Sequence, residues 1–448
     1  LGFSVSGAGD FNGDGFADLL LGAPQAESPD GVHPGACYVI YGSDSGIGTN
    51  GTINLAALTK ERGTIIYGET DGDAFGYSVS GAGDVNGDGI DDVVLGAPWA
   101  DFRLDSPADP SAGSSVDEGA AFVLFGHPDY GTQDGPATVE LKKLSNGVFT
   151  PPDAATPNKL VFTAVLPAIG DLEITITPQN DLLNTLVGQL PGYRLRGLGG
   201  QLGAAVAGAV DMNGNGMDEV LAVAPAYDGS GDSEPHWGRC YLLYGDDGRG
   251  GVVNANDVGV SERGRILTGV DDGDAFGAVV AGAGDINGDG FMDAAFGAEA
   301  GRPGGFSGEA WILWGGSTPA GEKLGTLSMR DLATSGQGRH LYNTQGDASF
   351  AFGRSLGAAG DFNNDNLADL VVGRQGGAFI LYGSTEYVAS TYTNRMRSGE
   401  SDVPNLGEGG QVNTGIEVYR GVGEIGGRSY SAPASRVRMR FTGGGTGT

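Results

Sequence analysis

One nine-residue acidic loop recurs five times along this chain, and its spacing limits the possible folds more than any other feature. The clearest copy is Asp84-Val85-Asn86-Gly87-Asp88-Gly89-Ile90-Asp91-Asp92. Oxygen-bearing side chains stand at positions one, three, five and nine (Asp84, Asn86, Asp88, Asp92), and Gly87 and Gly89 let the backbone turn tightly enough to aim them at one point. With the backbone carbonyl of position seven, Ile90, they form an all-oxygen set for a hard cation. Calcium takes about six to eight oxygens in flexible geometry, whereas magnesium demands a stricter octahedron and keeps more water. The spacing therefore predicts calcium, about five ions in all.

The other copies hold the same register. The first is Asp10, Asn12, Asp14, Phe16 (carbonyl) and Asp18; the fourth is Asp285, Asn287, Asp289, Phe291 (carbonyl) and Asp293. The third, Asp211, Asn213, Asn215, Met217 (carbonyl) and Glu219, has one carboxylate fewer and one longer. The fifth, Asp361, Asn363, Asp365, Leu367 (carbonyl) and Asp369, has Asn364 and Asn366 where glycines stand elsewhere. A single acidic Gly-rich stretch would be read as a solvated turn. Five in one register argue for ligands.

An EF-hand would need a bidentate Glu at position twelve and a helix on either side. Position twelve is Leu21, Leu95, Ala222, Phe296 or Val372, and position nine leads directly into DLLLGAP, DVVLGAP or DLVVGRQ. Short Val- and Leu-rich runs that stop at Gly or Pro read as buried strands, so each loop joins two strands. Loop-to-loop spacing is regular: 74 residues from Asp10 to Asp84, 74 from Asp211 to Asp285, and 76 from Asp285 to Asp361. The interval from Asp84 to Asp211 is 127, which leaves room for an insertion at 147–191, or for a worn repeat without a metal loop.

Each repeat supplies about four strands, illustrated by the first: the opening VSGAG, LLLGAP, ACYVIYG and TIIYG. Both alternating faces of ACYVIYG are apolar, so the sheet must be covered on both sides. Four-stranded antiparallel sheets stacked face to face around an axis meet that need and leave only short outer edges. The expectation is an all-β fold, a β-propeller of six or seven such blades over 1–383, with repeats starting near 1, 75, 202, 276 and 352. Residues 384–448 would complete the last blade and add a degenerate blade or a small β-unit for assembly.

Composition bounds the function. Gly is 85 of 448 residues, about 19 percent against a usual 7 percent, without a collagen period, which signals tight turns and close backbone approaches. A net charge of −31 repels nucleic acid and anionic membranes, and no apolar run is long enough to span a bilayer. Fourteen carboxylates lie at the ligand positions, and five calcium ions would bring the formal charge to about −21. The chain opens in mid-repeat, so an upstream leader or anchor is expected to have been removed. Cys37 and Cys240 hold the same place in two different repeats, where other repeats have Ala121, Ala310 and Ala378. They are expected to be free core thiols.

The string FGYSVSGAGDVNGDGIDDVVLGAP (75–98) resembles the FG-GAP repeat of integrin α-subunit head domains and their bacterial relatives. The resemblance covers about 1–383 apart from 147–191. It implies a seven-bladed propeller closed by pairing the chain's beginning with its end, calcium in the hairpin loops of several blades, and a role in adhesion and ligand binding. Departures from Gly-Ala-Pro occur at Val223-Ala224-Pro225, Gly297-Ala298-Glu299 and Gly373-Arg374-Gln375.

An enzyme is not expected. Gly353-Arg354-Ser355-Leu356-Gly357 matches a nucleophile elbow, but Ser355 aligns with Ser4 and Ser78 on an opening strand and no helix pattern follows. His33, His127, His236 and His340 are scattered and read as surface residues. Asp71, Asp73, Asp272 and Asp274 read as solvated turns, or as a second shell or further cation site. The chain is thus read as an extracellular, secreted or cell-surface calcium-binding adhesion module. Its partner would be a protein or a glycan, or copies of itself, met through connections such as 99–118, 147–191 and 226–237, where Trp99 and Trp237 lie. A lectin, or a hydrolase acting on glycans or phosphate esters, is the alternative.

Overall fold

The structure is a computed structural model. It describes the chain except residues 45–51, 101–117, 133–137, 141–147, 151–159, 167–169, 177–191, 228–236, 247–250, 271–272, 302–307, 318–323, 344–350, 376, 388–393, 397–415, 421–422, 426–427, 431–436 and 441–448. Five antiparallel-dominated sheets follow one another around a common axis as the blades of an all-β propeller. Blade 1 runs β1 (Val5–Gly9), β2 (Asp18–Ala23), β3 (Ala36–Ile40), β4 (Gly63–Tyr67). Blade 2 uses β5 (Val79–Gly83), β6 (Asp92–Ala97), β7 (Ala120–Leu124) and β12 (Gly192–Arg196). Blade 3 uses β13 (Ala205–Gly208), β14 (Val220–Ala224), β15 (Arg239–Leu243) and β17 (Gly264–Thr268). Blade 4 has β18 (Val279–Gly284), β19 (Asp293–Ala298), β20 (Glu309–Leu313) and β22 (Gly338–Asn343). Blade 5 has β23 (Ser355–Gly360), β24 (Asp369–Arg374), β25 (Gly377–Leu381) and β27 (Ile416–Arg420).

Each four-stranded unit carries a fifth strand whose pairing the sequence pattern does not announce. β8 (Thr138–Glu140) pairs in parallel with β4, β16 (Gly251–Asn254) with β12, β21 (Thr326–Ser328) with β17, and β26 (Asn394–Met396) with β22. All four come from the segment between the third and fourth strands of the next repeat, so consecutive blades interlock through backbone hydrogen bonds at their outer edges. Strands of three or four residues are too short to show alternation, which is why they escape a reading by period. Blade 5 is closed differently, by β30 (Val437–Arg440) running antiparallel to β27. Between the third and fourth strands of blade 2 in sequence, β9 (Val148–Thr150), β10 (Leu160–Leu166) and β11 (Gly170–Ile176) form a separate three-stranded antiparallel sheet. A short hairpin joins β28 (Gly423–Ile425) to β29 (Arg428–Tyr430).

The core is divided among the blade interfaces. Residues on the second strand alternate between the two neighbours: Leu20 packs toward blade 2 with Val93 and Leu95, while Val94 packs toward blade 3 with Val220 and Ala222. The same arrangement continues between blades 3 and 4 (Leu221 with Ala294 and Phe296) and between blades 4 and 5 (Ala295 with Leu370 and Val372). Cys37 and Cys240 are fully buried free thiols in these interfaces, as their alanine counterparts imply.

The repeated glycines have a backbone reason. The glycine after each opening Phe or Leu takes φ between 79° and 88° at Gly76, Gly203, Gly277 and Gly353, a region that a Cβ disfavours. Its N–H bonds back to the strand end of its own repeat (Gly76 to Gly96 O, 2.9 Å), while its carbonyl is pressed against the preceding blade. A Cβ on Gly22 would lie 2.1 Å from Gly76 O, and one on Gly96 2.0 Å from Gly203 O. The Gly-Ala-Pro glycine thus exists to let the next blade's carbonyl in. Ser4 and Ser78 secure that contact by donating to Gly76 O (3.2 Å) and Gly203 O (2.7 Å). Where Val223 replaces the glycine, its side chain fills the space facing Gly277 instead.

The closure implied by family resemblance is not formed among the described residues: no sheet combines strands from the two ends of the chain. Blade 1 keeps Leu1, Val5 and Leu19 exposed on one side, and blade 5 keeps Phe362 exposed on the other.

Candidate metal centres

All five loops connect first to second strands, at the same end of their blades. Their fold is set by side-chain oxygens that gather backbone N–H groups. In the first loop Asp10 accepts from the N–H groups of Asp14 (2.9 Å) and Gly15 (2.8 Å), Asn12 Oδ1 from Asp14 (3.2 Å), and Asp14 Oδ1 from Phe16 (2.9 Å). The pattern recurs at Asp84, Asn86 and Asp88 and at Asp285, Asn287 and Asp289. Asp211, Asn213 and Asn215 repeat it with an amide in place of the third carboxylate. In the fifth loop Asn364 and Asn366 take φ of 62° and 69°, so the turn survives without its glycines, because Asn tolerates the left-handed region better than most residues.

Position nine is built differently from the rest. Asp92 is fully buried; its Oδ2 accepts from Val85 N and its Oδ1 from Gly126 N, each at 2.9 Å. Asp18, Asp293 and Asp369 repeat both bonds, to Phe11 and Gly42, Ile286 and Gly315, and Phe362 and Gly383. Glu219, one methylene longer, accepts from Met212 N, from Asn213 Nδ2 (2.8 Å) and from Gly245 N. The glycine that ends each third strand is therefore a donor to the loop of its own blade, a link that spacing alone does not reveal.

These acids carry a charge problem. Burial, followed by repulsion from positions five and one that outweighs only part of the hydrogen bonding, pushes Asp18 up to about 6 and Asp92 up to about 8. Asp293 rises to about 7 and Glu219 to about 8 for the same first cause, burial, and Asp369 is raised likewise. Each loop thus brings carboxylates close enough to disfavour one another's ionisation. Among the described residues, however, no three His, Cys, Asp or Glu side chains form a closed metal-binding cluster.

Loops of successive blades are stitched together. Asp91 Oδ2 accepts from Asp10 N (2.7 Å) and Asp218 Oδ2 from Asp84 N (3.0 Å). The position-two carbonyls of blades 1 to 4 accept from His127, Asp246, Gly316 and Ser384 of the following repeats. Position eight is Ala17, Asp91, Asp218, Met292 or Ala368 and shows no common chemistry, so the sequence pattern carries no signal for this contact.

Elsewhere the structure corrects two sequence expectations. His340 is not a surface residue: it is mostly buried, stacks on Trp311 (3.6 Å between centroids) and bonds Glu309 at 2.6 Å. Asp73 and Asp274 are buried rather than solvated, and Asp73 accepts from Thr70 N. Ser355 opens β23 and no helix follows it, so the elbow-like string has no elbow. His33 and His127 are exposed as expected; His236 and Asp272, with most of the connections 99–118, 147–191 and 226–237, lie outside the described residues. At the edge of that region Trp99 meets Tyr77 edge-on (5.1 Å), and Tyr77 meets the exposed Phe3 (4.8 Å). Trp237 is exposed.

A ring of blades whose first hairpins carry acidic loops, and whose neighbours meet through paired Phe-Gly and Gly-Ala-Pro backbones, defines a β-propeller of repeated FG-GAP units. The FG-GAP repeat family model matches residues 1–39, 75–124 and 352–389. The chain is an integrin-α-like FG-GAP propeller. It is 38 % identical to integrin alpha pat-2 of Caenorhabditis briggsae over 96 residues, 21 % of this chain and 7 % of that protein. It is 27 % identical to integrin alpha-4 of Xenopus laevis over 226 residues, 49 % of this chain and 19 % of that one. Phosphatidylinositol-glycan-specific phospholipase D of Bos taurus is 37 % identical over 128 residues, 28 % of this chain and 13 % of the enzyme. The matches thus span less than a fifth of each of these relatives. Among the described residues no helix is long and apolar enough to cross a membrane.

Proposed function

We propose that this propeller is a calcium-braced adhesion module working outside the cell, and that its five loops hold the ions. The supporting observation is the clustering of unneutralised acids: in each loop a buried position-nine carboxylate is pushed up first by burial, and in the first, second and fourth loops also by the acids at positions five and one. The donor set fits calcium, being entirely oxygen, anionic and mixed between carboxylate, amide and carbonyl. The ligands would be the side chains at positions one, three, five and nine and the carbonyls of Phe16, Ile90, Met217, Phe291 and Leu367. A bound divalent ion supplies the positive charge that lets a buried carboxylate stay ionised. What the chain itself contributes is a rigid base: position nine is tied to its own third strand, and positions one and two to the next blade, so an ion there stiffens hairpins and not a recognition loop.

Recognition belongs to the opposite end of the blades, where long connections emerge and Phe3, Tyr77 and Trp99 form an aromatic run. Such a run suits a protein or glycan partner. The integrin names among the relatives favour adhesion. The phospholipase match spans 13 % of that enzyme.

The test is calorimetric titration of chelated protein with calcium, together with thermal unfolding. At ten times Kd each independent site should stabilise by about 1.4 kcal/mol. Asp88→Ala should lower the stoichiometry from five to four and leave the other sites unchanged. No calcium-dependent shift in unfolding, with metal absence verified in the chelated sample, refutes the reading.

A further inference from the structure

The first, second and fourth loops offer an ion the same side chains: Asp, Asn, Asp and Asp at positions one, three, five and nine. What separates them is the residue that the following blade sets against position one. In the second, third and fifth loops position eight meets the preceding blade, and there Asp91 and Asp218 supply an oxygen that Ala368 lacks.

Position one is the most heavily used residue of its loop. Asp84 accepts from the N–H groups of Gly87 (2.7 Å), Asp88 (3.0 Å) and Gly89 (2.8 Å). Its own peptide is gripped from blade 3: its N–H donates to Asp218 Oδ2 (3.0 Å) and its carbonyl accepts from Asp218 N (2.9 Å). Asp10 N–H donates in the same way to Asp91 Oδ2 (2.7 Å). The glycine before each of these loops makes room for the visiting carboxylate, since a Cβ on Gly9 would collide with Asp91 and one on Gly83 with Asp218. The fourth loop keeps only the backbone half of this grip. Ala368 N donates to Asp285 O (3.0 Å), and Gly284 precedes the loop at φ 74°, close to the 66° and 69° of Gly9 and Gly83. Before the third loop Val210 replaces the glycine, and Met292 stands in place of the acid.

We propose that Asp91 and Asp218 are positioning residues for the ion of the preceding blade. Asp91, though it lies in the second loop, sets the affinity of the first site, and Asp218, in the third loop, sets that of the second. This rests on the calcium reading of the loops. A group that fixes a ligating residue spares the ion the cost of ordering it, and removing such a partner weakens metal binding by about 10–100-fold. Here the brace acts through the backbone of the ligand, so the lower figure applies. The first and second sites accordingly bind more tightly than the fourth, whose side-chain ligands are identical. The brace is the position-eight side chain and not the neighbouring ion, so emptying the second site by Asp88→Ala leaves the first intact.

The experiment is calcium calorimetry on the chelated full chain and a small set of variants. Asp91→Ala should weaken one site about tenfold. In an Asp14→Ala background, which removes the first site, it should change nothing further; in an Asp88→Ala background, which removes the second, it should still weaken one site. The reverse pattern overturns the proposal, because Asp91 would then serve its own loop. Asp91→Asn keeps an oxygen that can accept from Asp10 N–H and should retain most of the affinity; a loss equal to that of Asp91→Ala would make the effect one of charge and overturn the brace. Ala368→Asp adds the missing oxygen and should tighten the fourth site by a similar factor, a gain that a misfolded variant cannot imitate. No calcium uptake by the parent protein refutes the calcium reading itself, whereas uptake that none of these substitutions alters overturns the brace alone.

Discussion

Gly208→Ala and Gly357→Ala form a matched pair that tests whether the repeated glycines serve blade contact or merely strand flexibility. Both residues are the mid-strand glycine of an opening strand, and neither has positive φ. A Cβ on Gly208 would lie 2.6 Å from Gly81 O and 2.9 Å from Ala82 Cα, whereas on Gly357 it would meet nothing within 4 Å. An ordinary carbon–oxygen contact is about 3.3 Å, so blades 2 and 3 must separate locally by about 0.7 Å. Overpacking of that kind costs about 1–3 kcal/mol. The alanine returns about 0.4–1 kcal/mol by restricting the unfolded chain. The expected net is about 1–2 kcal/mol of destabilisation for Gly208→Ala and a slight gain for Gly357→Ala. Urea unfolding at fixed calcium would read this as a difference of roughly half a molar or more in midpoint. Because propeller blades can unfold separately, hydrogen exchange at β13 should show the loss locally. Equal shifts in the two variants would refute the argument that neighbouring backbone, and not propensity, selects the glycine.

The remaining expectations concern charge, strain and thiols. In metal-free protein, Asp92, Glu219 and Asp293 have folded values near 8, 8 and 7 against unfolded values near 4. Their contribution is therefore fully present below about pH 4 and is lost as pH rises through 7–8. Chelated protein should thus melt higher at pH 5 than at pH 8, while the calcium increment should be smaller at pH 5 because protons compete for the ligands; a pH-independent chelated melt would contradict this. Val210 is a β-branched residue at φ 48°, where the other repeats place Gly9, Gly83, Gly284 and Gly360. Val210→Gly should stabilise by about 0.5–1 kcal/mol in urea unfolding, the relief of left-handed strain exceeding the entropic cost of glycine. Burial raises the Cys37 and Cys240 thiols well above their usual range, so both should resist a thiol reagent until the protein unfolds; rapid labelling of native protein would show that the interfaces open.

The sequence by itself determined the repeat unit, the hairpin that bears each acidic loop and the order of the strands within a blade. Those features are local: a loop needs particular side chains within nine residues, and a doubly covered strand must be apolar on both faces. Tertiary structure alone decided what the signature glycines are for, since the atoms that exclude a Cβ belong to a different repeat, 54 to 107 residues away in the cases of Gly22 and Gly96. It also decided the donated fifth strands, whose three or four residues have too little alternation to be read, and the burial of His340 against Glu309, which joins two strands 31 residues apart. The exposure of Leu1, Val5 and Phe362 was likewise invisible in the sequence, because they look the same as their buried counterparts. Side-chain type records what a residue prefers to meet; only the packing of whole blades decides whether anything is there to meet it.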